Sequence, residues 1–67
     1  MARTLVRDAD RWVLTVGGVV VGHHAPFTSD INADIEQAAA WAEGVLGATE
    51  LLPWRHVRSR RGEQWEV

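Results

Sequence analysis

The sequence predicts an α+β fold, a two-layer antiparallel sheet in the order β-β-β-α-β-β with a single helix packed on one face. Three observations carry this reading. Two runs rich in β-branched residues meet at Gly17-Gly18, and a segment from Ser29 onward repeats apolar residues at spacings of four and three. A second pair of extended runs flanks Arg60-Arg61-Gly62 near the C-terminal end. With 67 residues there is room for one core, so residues 1–67 are read as a single small domain.

A first strand is expected near Arg3 to Arg7, turning at Asp8-Ala9-Asp10. The central hairpin joins Arg11–Val16 to Val19–His24. Its two glycines accept the positive φ values that a two-residue turn requires. That turn pairs Val16 with Val19, Leu14 with Val21 and Trp12 with His23. Paired residues share a face, so Trp12, Leu14, Val16, Val19 and Val21 are expected to form one apolar surface. Arg11, Val13, Thr15, Val20, Gly22 and His24 are then expected on the other face.

Ala25-Pro26-Phe27 ends the strand, because proline cannot donate to the ladder. Ser29 or Asp30 can cap a helix whose apolar stripe is Ile31, Ile35, Ala38, Ala42 and Val45. The two alanines let the helix axis approach the sheet. Leu46 flanks one edge of the stripe, and Trp41 the other beside Asp34 and Gln37. Asp30, Asp34 and Glu36 suit the positive end of the helix dipole. Gly44 or Gly47 is expected to stop the helix.

The second hairpin joins Leu51–Arg58 to Glu63–Val67, and two registers are open. A three-residue loop with Gly62 left-handed sets Val57 against Trp65 and Arg55 against Val67. A four-residue loop instead pairs Arg58 with Glu63 and Arg55 with Glu66.

Composition excludes several functions. The absence of cysteine removes disulfides, thiolate metal sites and thiol nucleophiles. No apolar run approaches the roughly 20 residues of a membrane span, and the first residues do not read as a signal peptide. A cytoplasmic protein without membrane contact is therefore expected. Arginine without a single lysine, beside abundant Ala, Val and Gly, points to a GC-rich bacterial or phage coding sequence.

Charge is unevenly distributed. Residues 1–11 sum to +1, residues 12–54 to −5 and residues 55–67 to +2, giving the formal −2. An acidic middle with a basic tail, together with four tryptophans, suggests a non-catalytic binding or regulatory module. It is expected to act by protein–protein contact, with another protein or with a second copy of itself as a homodimer. Trp41, Trp54, Trp65, Arg55 and Arg58 are the candidate partner-binding residues, because partly exposed tryptophan is enriched at binding hot spots.

The alternative is a nucleic-acid-binding accessory protein using Arg55, Arg58, Arg60 and Arg61 beside Trp54, His56 and Trp65. The sequence pI near 5.8 argues against it. The helix also has five carboxylates in or near it and no cation, and cannot lie in a groove against phosphates.

No metal or cofactor is expected. Adjacent His23 and His24 point to opposite faces of a strand and cannot readily share one ion. His23 is expected beside Trp12, and His24 in solvent. Ser29 is read as a cap and Ser59 as a turn residue. A ribonuclease-like site built on His24 or His56 ranks last, since nothing in the sequence fixes its geometry.

Overall fold

The computed structural model describes residues 2–8, 10–26, 28–59 and 62–67. Five strands and one helix follow in the expected order: β1 Arg3–Asp8, β2 Arg11–Val16, β3 Val19–His24, α1 Ile31–Leu46, β4 Arg55–Ser59 and β5 Gly62–Glu66. They form one antiparallel sheet in the order β3-β2-β1-β5-β4, with α1 on one face touching β1 and β3.

β1 is the central strand. It pairs with β2 along its whole length and with β5 through Thr4↔Glu66, Leu5↔Trp65 and Val6↔Gln64. Arg3 and Val67 extend that second ladder by exchanging backbone bonds of 3.0 and 3.1 Å. The turn after Asp8 includes Ala9, and the break after β3 includes Phe27; both residues lie outside the described set.

Gly17 and Gly18 carry φ values of 58° and 84°, the pair of positive angles that a type I′ hairpin turn needs. Val16 pairs with Val19 as the sequence predicts. Thr15 and Val20 keep that register, and from Leu14 onward it differs by one residue. A bulge sets Gly22 opposite Leu14 and His24 opposite Trp12, where Val21 and His23 were expected. Trp41 explains the shift. Even a bare Cβ at position 22 would stand 3.1 Å from Trp41 Cζ2, so a valine in that place would collide with the ring. The bulge puts glycine under the indole and Val21 elsewhere.

α1 begins at Asp30, whose carboxylate accepts the Asn32 N–H at 3.0 Å. It ends at Gly47, left-handed at φ 71°. Its inner face is turned from the expected stripe. Asp34, Ala38, Ala42 and Glu43 are the buried positions, Ile31 and Ile35 are half-buried, and Val45 is exposed. The reason is polar: Asp34 and Glu43 both have donors waiting beneath the helix.

Leu5, Trp12, Leu14, Ala38, Ala42 and Trp65 make the core, with Trp41 and Trp54 packed against it. The Trp12 and Trp65 rings meet at 5.3 Å and 51°. Fully burying a side chain the size of Leu5 or Leu14 contributes about 1.5–3 kcal/mol. Two alanines on the helix leave depth for these two indoles.

The C-terminal hairpin takes the register Arg55↔Glu66, His56↔Trp65, Val57↔Gln64, Arg58↔Glu63 and Ser59↔Gly62. The pairing of Val57 with Trp65 is thereby excluded. Extended pairing starts at Arg55 and not at Leu51. Pro53 has no N–H to give, and the Leu52 N–H goes to the helix through Glu43 at 2.6 Å.

Candidate interaction surface

Two buried carboxylates fix what the surface can present. Asp34 is completely buried, and its Oδ2 accepts from Arg7 Nη1 at 2.6 Å and from Trp12 Nε1 at 2.5 Å. Its Oδ1 accepts the Thr28 N–H at 3.3 Å, which ties down the chain entering α1. The Arg7 guanidinium also lies 5.6 Å from the Trp12 ring centroid, within cation–π reach.

Glu43 performs the matching task at the other end of α1. One of its oxygens accepts from both Leu52 N and Trp54 Nε1, holding the irregular segment 51–54 against the helix. Among the described residues no buried side-chain polar atom lacks a partner. Two of the five carboxylates in the acidic middle are thus internal, and the outer helix surface is less acidic than the sequence implies.

The face of the sheet away from α1 is built in rows. Strand alternation and register place Val57, Gln64, Val6, Val13 and His23 across one line. Arg55, Glu66, Thr4, Thr15 and Val20 form the next. The Thr4 and Thr15 hydroxyls are hydrogen-bonded to each other, and Arg55 lies 3.7 Å from Glu66. A shallow groove of ≈ 450 Å³ runs over this face, lined by Val6, Asp8, Val13, Thr15, Val20 and His23.

The two sheet edges differ in chemistry. β4 carries Arg55 and Arg58, charged side chains of the kind that blunt an exposed edge. β3 carries no arginine or carboxylate. Its Val19, Val20 and Val21 are exposed to 65%, 52% and 45%. The sequence reading missed this surface because it assigned Val19 and Val21 to the core. A signal was present: β3 is uncharged throughout, and its three consecutive valines cannot all face one side of a sheet.

The tryptophans and arginines singled out in the sequence do not form one cluster. Trp65 belongs to the core at 9% exposure and has little surface to offer. Trp54 is half-buried and held by Glu43. Trp41 is half-buried at the opposite side of the molecule, stacked on His24. Arg55 and Arg58 are exposed but three positions apart on a strand, so they point to opposite faces. Arg60 and Arg61 lie outside the described residues.

The histidines also exchange their expected places. His24 is half-buried on the helix face under Trp41, while His23 lines the groove on the open face. The bulge is the cause. His56 is hydrogen-bonded to Glu63 on the exposed hairpin, with its ring 4.8 Å from Trp65. Glu63, expected opposite Arg58, stands there in the ladder but gives its carboxylate to His56. Among the described residues no group of three His, Asp or Glu converges as a metal site, and no helix is long and apolar enough to cross a membrane.

Comparison of the chain with known protein families, with curated proteins and with solved structures finds no match.

Proposed function

We propose that this chain is a small non-catalytic binding module that acts through protein–protein contact and self-associates. One observation supports the reading most directly: three consecutive valines lie exposed on an uncharged edge strand, beside an uncovered sheet face. Aliphatic surface of this kind is favoured when another protein removes it from water. The proposal therefore rests on the β3 side of the molecule, with Trp41 and Trp54 as secondary contacts and Arg55 and Arg58 at the far edge.

A second reading, nucleic-acid contact through the C-terminal hairpin, draws on the exposure of Arg55 and Arg58. Their opposite orientations mean that one phosphate strand cannot meet both. Sedimentation of the full chain, alone and with mixed oligonucleotides at two salt concentrations, separates the readings. Mass that rises with protein concentration and ignores oligonucleotide is the expected result. Oligonucleotide binding at low salt, lost when Arg55 and Arg58 become alanine, would replace it.

A further inference from the structure

The geometry points to the partner and to the mode of contact: β3 pairs with β3 of a second copy, antiparallel across a two-fold axis centred on Val20, making one ten-stranded sheet. This rests on the self-association proposed above and names its interface.

Backbone geometry selects the strand and the register. Val19 closes the type I′ hairpin against Val16, so its N–H and C=O are spent on β2. Val20, the next residue, turns its own N–H and C=O outward. An antiparallel hydrogen-bonded pair exchanges both bonds between two residues, which a two-fold axis satisfies when Val20 meets its own copy. That register sets Val19 opposite Val21 on each side, aliphatic against aliphatic. A register one residue later would set Val19 against His23.

Charge permits the approach. β3 contains no formal charge, whereas two β4 edges would bring Arg55 and Arg58 against arginines of the second copy. The bulge at Val21 confines regular pairing to the turn-proximal half of the strand. A pairing this short buries little surface, so a weak dimer that depends on concentration is expected. Joining the copies also joins their open faces. The grooves lined by Val6, Val13 and Val20 become one trough across the axis, with side chains from both chains.

The chain has no cysteine, so a single introduced thiol reports its own neighbour. In the proposed register the Val20 Cα atoms lie about 5.5 Å apart, within disulfide reach. The experiment uses the full chain, with Val20→Cys tested for oxidative cross-linking against Leu51→Cys, a still more exposed position away from β3. Sedimentation of the native chain and of Val20→Lys runs alongside, with circular dichroism to verify folding. Preferential cross-linking at position 20, with loss of the dimer in folded Val20→Lys, is the expected result. A dimer that survives Val20→Lys and cross-links no faster at 20 than at 51 overturns the edge pairing and leaves self-association standing. A monomer at every concentration overturns both.

Discussion

Trp41 lies nearly flat against His24, ring centroids 5.1 Å apart and planes 18° from parallel, and its outer ring atoms occupy the space a Cβ on Gly22 would need. One glycine thus sets how closely α1 can approach β3. Gly22→Ala places a methyl 3.1 Å from Trp41 Cζ2 and 3.3 Å from Cη2, tighter than ordinary contact. The indole must give by a few tenths of an ångström, which disturbs its stack on His24. A stability loss of about 1–3 kcal/mol is expected, typical of overpacking. Denaturant unfolding measures the loss, and a change in Trp41 indole chemical shifts localises it.

Gly44 supplies the opposite case. It lies inside α1, exposed, with nothing within 4 Å of an added Cβ. Gly44→Ala is therefore expected to stabilise the chain by about 0.5–1 kcal/mol, through helix propensity and reduced freedom of the unfolded chain. A higher denaturant midpoint with unchanged slope is the predicted readout. No change would mean that the end of α1 frays before the sheet unfolds.

Asp34→Ala removes the acceptor shared by Arg7 and Trp12 and leaves both donors under the helix without it. Breaking a buried charged pair from one side costs about 3–5 kcal/mol. That is a large share of what a chain this short can hold, since stability runs near 0.05–0.15 kcal/mol per residue. Loss of cooperative unfolding is the expected outcome. Asp34→Asn keeps an acceptor in place and should lie between the two.

Glu43→Ala is expected to act locally. It releases Leu52 N–H and Trp54 Nε1 together, freeing the segment that leads into β4 while the β1–β2–β3 ladders remain. Limited proteolysis between residues 48 and 54 should accelerate, with a global cost of about 1–3 kcal/mol. Global unfolding without early cleavage there would contradict this division of labour.

The strand pattern and the two turn glycines made the sheet legible in the sequence, because period-two alternation and a demand for positive φ are both local signals. The helix was legible as an element but not in its rotation. Ala38 and Ala42 belong equally to a stripe through Ile31, Ile35 and Val45 and to one through Asp34 and Trp41. The choice is made by donors on two other elements, Arg7 of β1 and Trp12 of β2, which need a buried acceptor. The bulge was hidden for a similar reason. Leu14 can accept Val21 or Gly22 as its neighbour on local grounds, and the size of Trp41, some twenty residues later, excludes the valine. The β3 edge followed from the same non-local event, since the shift that brings Gly22 inward leaves Val21 exposed.

The pairing of Leu5 with Trp65 has a consequence for the order of assembly. The β1–β2–β3 meander and α1 are contiguous in sequence, whereas β5 reaches β1 only across some sixty residues. Until β5 docks, the Trp12 ring lacks its Trp65 neighbour, and one edge of β1 is an open template. Without β5 the sheet is three-stranded, with a bare strand at each margin. Closing the loop from Leu5 to Trp65 moves the β1 margin out to β4, where Arg55 and Arg58 blunt it, and leaves the valine edge of β3 as it was.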